Sequence, residues 1–213
     1  YVRKSPTGLD NQGWKDSHDS ISHEDGLLAE GPIALCEVQW YVYDAKVQAS
    51  KLADALGYID RASQLRRQAR SLKERFEEAF WCEESSTYAL ALDGQKRPCQ
   101  VKTSNAGHCL YTGIASDEHA RRVAETLMSD ELFSGWGVRT LADSERRYNP
   151  MSYHNGSIWP HDNAMIAVGL ARYGLKSGVE KIMTGMFEVS LVLDFHRLPE
   201  LFCGFVRRPG QGL

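Results

Sequence analysis

The chain has 213 residues, 42% of them hydrophobic, with a formal charge of −3 and a pI near 6.2. This much apolar content fills a substantial core and excludes general disorder, while the near-neutral balance excludes a broad attraction to nucleic acid or anionic membrane. No apolar run approaches the ~20 residues of a membrane helix, and the five cysteines (Cys36, Cys82, Cys99, Cys109, Cys203) lack CxxC spacing, which points to a reducing cytoplasm rather than a disulfide framework.

In chain order, the first periodic segment carries Leu35, Val38, Val42, Ala45, Ala49, Leu52 and Leu56, alternating steps of three and four that predict an amphipathic helix. Gly57 supplies a stop, and Asp60 is placed to cap a second helix with the stripe Ala62, Leu65, Ala69, Leu72, Phe76 and Ala79. The short link makes the two an antiparallel hairpin. After Trp81 the alternation of Tyr88, Leu90 and Leu92 predicts a short extended excursion around residues 87–102.

Helical signals resume at Ser104 or Asn105 through His108, Leu110 and Tyr111, and again from Asp117 through Val123, Ala124, Leu127 and Met128. A third pair begins near Pro160, a residue tolerated in a first helical turn, breaks at Gly174, and returns from about Lys176 to Leu193. The reading is all-α, with three helical hairpins and no parallel-sheet framework. The chain opens on Tyr1 rather than an initiator methionine, so a longer parent protein is expected.

Four polar, aromatic and glycine-rich segments punctuate the hairpins: residues 11–20, 103–108, 151–163 and 197–205. With helices alternating up and down, all four fall at one end, where a rigid helical support gathers distant residues into one pocket. In the first, NQGWKDSHDS, the flat ring of Trp14 suits the apolar face of a pyranose, and Asp16 beside it suits a proton donor to a glycosidic oxygen. Asp16 or Asp19 capping a turn is the alternative. In the last, RLPELFCGF, Glu200 lies between Pro199 and Leu201, a carboxylate among apolar residues that is expected to be buried, as an ion pair with Arg197 or as a catalytic base.

Two carboxylates about 6.5–9.5 Å apart would admit a water for inversion, and about 5–5.5 Å would favour a covalent intermediate. The third segment, MSYHNGSIWPHDN, gathers Tyr153, His154, Asn155, Trp159, His161, Asp162 and Asn163, rings and hydrogen-bonding groups suited to hydroxyl recognition. His154 with His161, or His18 with His23 and Glu24, lack the one-turn spacing of a helical zinc site, so no metal is expected. Cys109 has no base-and-orienter set, and GWGVR at residues 135–139 is too short for a phosphate loop.

Taken in order, NQGWKDS, GPIALCEVQ, TSNAGH, FSGWGVRTL, YNPMSYHNGSIWPHDN and RLPELFCGF resemble the C-terminal catalytic region of amylo-alpha-1,6-glucosidase, the glycogen-debranching type of glycoside hydrolase, over nearly the whole chain. The resemblance implies an (α/α)6 toroid, an inverting mechanism and no cofactor. It matches Asp16 to the general acid, in a motif usually Trp-Met-Asp where Lys15 now stands, and Glu200 to the general base. In the more distant trehalase and mannosylglycerate hydrolase group the acid directly follows Gly-Trp, a register that lands on Lys15; Asp16 is therefore preferred and Asp19 is the fallback.

By the same resemblance Trp14, Glu37, Gln39, Trp40, His108, Trp136, Arg139, Tyr153, His154, Asn155, Trp159, His161 and Asp162 would line the sugar pocket, although Gln39 and Trp40 could equally pack in the barrel. A toroid needs twelve helices and about six are legible, so residues 1–213 are expected to be one domain, the C-terminal portion of a six-hairpin toroid. The missing helices would come from upstream or from a homodimer partner, or they are lost and the chain is a degenerate remnant. The expected partner is an oligosaccharide or α-glucoside. A non-catalytic carbohydrate-binding or assembly module is the main rival, and another toroid chemistry such as epimerisation or phosphorolysis is the third.

Overall fold

The computed structural model of the protein describes residues 1–208 and 210. Three helical hairpins follow one another, α1 (Cys36–Ala55) with α2 (Ile59–Phe80), α3 (Asn105–Thr112) with α4 (Asp117–Leu127), and α5 (Pro160–Arg172) with α6 (Lys176–Val192). The links are short, and Gly57 takes the positive φ of +79° that ends the first helix. A 3₁₀ turn, Asp194–His196, follows α6.

Helix α3 packs against both α1 and α5, so the odd-numbered helices form a continuous inner wall and the even-numbered ones brace it from outside. Two glycines allow this contact. A Cβ on Gly169 would stand 2.6 Å from the backbone nitrogen of Tyr111, and one on Gly107 would stand 2.5 Å from Cγ1 of Ile166. The main core runs from Trp40, Phe76, Phe80 and Tyr88 through Leu110 and Val123 to Ile166 and Ile182. Outside it, Glu77 of α2 accepts from the Tyr88 hydroxyl at 3.0 Å and the Ser116 backbone N–H at 2.7 Å, and pairs with His119 at 2.6 Å, tying the first two hairpins together.

The excursion between α2 and α3 holds two small antiparallel pairs. β2 (Trp81–Cys82) pairs with β3 (Thr87–Tyr88), and β4 (Ala91–Leu92) pairs with β1 (Ala34–Leu35), directly before α1. Residues 87–92 are buried throughout rather than alternately, because two cores meet on them: Tyr88, Ala89 and Leu92 face the main core, while Leu90 and Ala91 face a second cluster with Ile21, Ile33, Leu35 and Val101.

Two local expectations fail. Asp60 does not cap α2; the N-cap residue is Tyr58, without a side-chain bond, and Asp60 sits inside the first turn, where the helix dipole favours it. In α4 the cap is Ser116, whose hydroxyl accepts from the His119 N–H. The larger departure is the stripe on α1. Leu35 is buried, but Val38, Val42, Ala45, Leu52 and Leu56 are exposed, the last two at 65% and 70%, and the face turned inward carries Cys36, Glu37, Trp40, Ser50 and Ala53. The wall contacts only part of the circumference of α1, and its apolar stripe lies on the uncovered part.

Candidate active site

The amino-terminal ends of α1, α3 and α5 converge, and the polar segments close over them. Asn105, the first residue of α3, donates to Glu37 Oε2 at 3.1 Å, and His108 Nε2 lies 2.5 Å from Asp162 Oδ1 in the first turn of α5. All four are buried. The loop of residues 11–20 lies over them, folded on itself by Asn11 donating to the Ser17 carbonyl at 2.7 Å and Ser20 donating to the Lys15 carbonyl at 2.6 Å. Gly13 brings this loop onto α1, since a Cβ there would reach 2.5 Å from Glu37 Oε1.

Trp14 is the hub of the aromatic residues. It stacks on His108 at 5.9 Å and meets His154, Trp159 and His161 edge-on at 5.6, 5.8 and 5.2 Å. His154 in turn stacks on Trp159 at 5.1 Å, and the Trp159 Nε1–H donates to the Tyr153 carbonyl at 2.8 Å, so the HNGSIWP segment holds its rings as a unit. Asn155 donates to Asp19 Oδ2 at 3.0 Å, which fastens that unit to the Asp16 loop and occupies the carboxylate of the fallback residue.

Asp16 has its side chain 46% exposed, with Oδ1 4.0 Å from His154 Nδ1; that same nitrogen is hydrogen-bonded to Ser17 Oγ at 2.7 Å. Glu200 accepts from the Tyr153 hydroxyl at 2.5 Å. Tyr153 and His154 are adjacent, with ring centroids 4.7 Å apart, so the two carboxylates flank one pair of rings. Glu200 is exposed, contrary to the expectation of burial, because the segment after the 3₁₀ turn runs along the surface and turns Phe202 onto Ile158 in a backbone pairing. Nor does it pair with Arg197, whose guanidinium lies 5.9 Å from the Phe195 ring.

Electrostatics separate the groups. Burial, aided by the Lys15 cation, pushes His154 down to about 4 against the pull of Asp16, Asp19 and Asp162, so its imidazole is neutral at pH 7. The hydrogen bond to Glu200 raises the Tyr153 phenol above its ordinary value. Burial alone would raise Asp162, but the His108 hydrogen bond and the nearby Lys15 cation help outweigh it and hold that carboxyl below its usual range. Lys15 is pushed down to about 8 by burial, opposed by the carboxylates of Asp162 and Glu37.

Several expected lining residues lie elsewhere. Arg139 is fully buried and gives its guanidinium to the carbonyls of Gly204, Asp130 and Glu131. Trp136 is packed beneath Arg207, 4.4 Å from its guanidinium, and against Gly185 of α6. Gln39 folds its amide back to the Leu35 carbonyl at 3.1 Å, and Trp40 is a core residue that touches the site only through its edge-on contact with His108 at 6.0 Å. Lys15, Ser17 and Asn105 were not expected there. Asn105 lies inside the TSNAGH segment, but nothing in the local sequence marks Lys15 as buried.

The site is an open wall, since Tyr153, His161 and Glu200 are exposed. A groove of about 800 Å³ is lined by a different set of residues, among them Trp136, Tyr148, Leu193, Phe202 and Phe205.

A family model, the mannosylglycerate hydrolase MGH1-like glycoside hydrolase domain, matches residues 4–193. Among solved structures, neutral trehalase Nth1 from Saccharomyces cerevisiae is 15% identical with a TM-score of 0.70, over 88% of this chain and 37% of that one. The GH63 mannosylglycerate hydrolase from Thermus thermophilus in complex with Tris is 18% identical with a TM-score of 0.71, over 81% and 40%. A sialidase is 16% identical with a TM-score of 0.76, over 94% and 20%. These likenesses establish the fold as part of an α/α toroid, and this chain spans about two fifths of the length of the first two proteins. No curated protein matches the chain.

Proposed function

The chain belongs to the mannosylglycerate hydrolase MGH1-like glycoside hydrolase domain family, and we propose that it supplies the two catalytic carboxylates of an inverting glycosidase acting on α-glucosidic bonds. Asp16 is the general acid and Glu200 the general base. The observation that carries this reading is that the two carboxylates flank the Tyr153–His154 pair beside the Trp14 ring.

Asp16 gives its proton to the glycosidic oxygen as the bond to the anomeric carbon breaks. Glu200 takes a proton from the water that attacks the opposite face of that carbon, and the product leaves with inverted configuration. The Tyr153 hydroxyl occupies one lone pair of Glu200 and orients the other oxygen toward the water. Trp14 offers an apolar platform to the sugar, His161 and the neutral His154 offer hydrogen bonds, and the reaction needs only proton transfers and water. The α-glucoside preference, with α-1,6 bonds as in debranching, rests on the motif resemblance.

The test is hydrolysis of a panel containing α-1,4- and α-1,6-glucosides, trehalose and mannosylglycerate, with the first-formed anomer followed by NMR. The expected result is release of β-glucose from an α-glucoside. Release of α-glucose would sink the inverting assignment, and turnover of mannosylglycerate alone would move the substrate to that class.

A second reading is favoured by the exposed apolar stripe of α1 and by Met183, Phe187 and Leu191 on α6. These faces bound the two edges of the arc, and they are covered by further toroid helices, from another part of the same protein or from a second copy of this chain. Without that cover the chain acts as a carbohydrate-binding or assembly module. Sugar binding without turnover by a monomer would favour the module.

A further inference from the structure

Lys15 and Asp16 are consecutive residues that face opposite ways. Asp16 projects outward beside His154, whereas Lys15 is 2% exposed and runs inward beneath Trp14, its Nζ 5.1 Å from the indole centroid. The ammonium donates to the carbonyl of Thr140 at 2.6 Å, across 125 residues of chain, on the segment that leads from Arg139 toward the second core.

The charged and titratable groups around it come from every neighbouring element. Helix α1 presents Glu37 and Cys36, α3 presents His108, α5 presents Asp162, the 151–163 segment presents His154, and its own loop carries Asp16 and Asp19. Of these, Glu37 Oε1, Asp162 Oδ2 and His108 Nδ1 are buried without a protein partner, as is Asn105 Oδ1. Two buried carboxylates are unfavourable unless a positive charge stands near them, and the Lys15 ammonium supplies one: Asp162 and Glu37 both act on it to favour its charged form, against the larger effect of burial.

We propose that Lys15 is a positioning residue: its buried ammonium pins the loop of residues 14–17 onto the amino-terminal ends of the inner helices and so aims Asp16 outward beside His154. The proposal rests on the reading of Asp16 as the acid. Lys15 is held at both ends, its Nζ by the Thr140 carbonyl and its own carbonyl by the Ser20 hydroxyl, which fixes where the backbone delivers the next side chain, Asp16. The same ammonium acts on His154, which burial first and the Lys15 charge second push down to about 4. A neutral imidazole next to Asp16 forms no ion pair with it, which leaves the carboxyl available to the leaving oxygen.

Three variants test this. Lys15→Met removes the charge and the donor, Lys15→Gln removes the charge while keeping a donor for Thr140, and Lys15→Arg keeps both. The His154 ring is followed by NMR through its acid titration, a readout that needs neither substrate nor turnover. In Lys15→Met and Lys15→Gln the midpoint is expected to rise from about 4 toward the ordinary histidine range, while Lys15→Arg holds it low. On the substrate identified by the hydrolysis panel, Lys15→Met is expected to lose roughly 10- to 100-fold in kcat with KM little changed, and Lys15→Arg to recover most of it.

An unmoved His154 midpoint in a folded Lys15→Gln protein overturns the proposal, and so does a full kcat in Lys15→Met. If Lys15→Met does not fold, the Gln and Arg variants carry the comparison. Absence of turnover in the unmutated chain would count against the glycosidase reading instead, and the titration would still decide whether Lys15 controls the charge beside Asp16.

Discussion

At the scale of single residues, the two carboxylates are expected to separate binding from chemistry. Asp16→Asn and Glu200→Gln should each lower turnover by about 10²–10⁴-fold while sugar binding to the Trp14 wall persists, checked by kinetics and calorimetry on the same samples. Glu200→Gln carries a spectroscopic signature as well. The Tyr153 phenol is raised by its bond to that carboxylate, so the variant should show one tyrosine ionising earlier than in the parent in an ultraviolet pH titration. Lys15 gives a pH dependence of stability. Its proton leaves the folded protein at about 8 and the unfolded chain near 10.5, so unfolding takes up a proton between those values and the contribution of Lys15 to stability rises across that window. The full span corresponds to at most about 3 kcal/mol. Burial raises Cys82 to about 11 and Cys99 to about 12, which works the opposite way above pH 9; the difference between the parent and Lys15→Met in chemical denaturation isolates the lysine.

At the scale of elements, the helices were legible because their signals are local. Pro160 opens α5, Gly57, Gly113 and Gly174 follow three of the helices, and the 3.6-residue period survives in α2 and α4, which rest one face on the wall and leave the other to solvent. Helix α1 misled for a physical reason. A periodic stripe records that an apolar face exists, but which surface covers it is a property of the neighbours, and Trp40, packed on Phe76 of α2, rather than Val38 and Val42 meets the core. The contact between α3 and α5 is set by the small size of Gly107 and Gly169. Gly169→Ala should therefore separate these helices and cost about 1–3 kcal/mol, and Phe76→Ala should cost about 3–5 kcal/mol, both read from denaturant midpoints at constant m-value.

At the scale of the whole molecule, the arc presents apolar edges that six helices do not cover. If a second copy covers them, the chain associates in solution, and Val42→Glu with Leu52→Glu on the α1 stripe should return it to a monomer by light scattering while circular dichroism is unchanged. If the cover belongs to another part of the same protein, the isolated chain is monomeric and the longer protein should gain turnover.

Composition, hydrophobic period and punctuation by glycine and proline determined the helical class, the three hairpins and the four polar segments, because each of these is encoded within a few residues of chain. The resemblance of those segments in order marked Asp16 and Glu200 as candidate catalytic carboxylates. Only the tertiary structure decided that Arg139 and Trp136 hold the scaffold rather than face the site, that Glu200 lies at the surface against Tyr153, and that Lys15 is the buried cation beneath Trp14. The reason is one of range: whether a charged or aromatic side chain turns inward depends on partners such as Thr140, Gly204 and Asp162, which lie tens to more than a hundred residues away and meet it only when the inner helices converge.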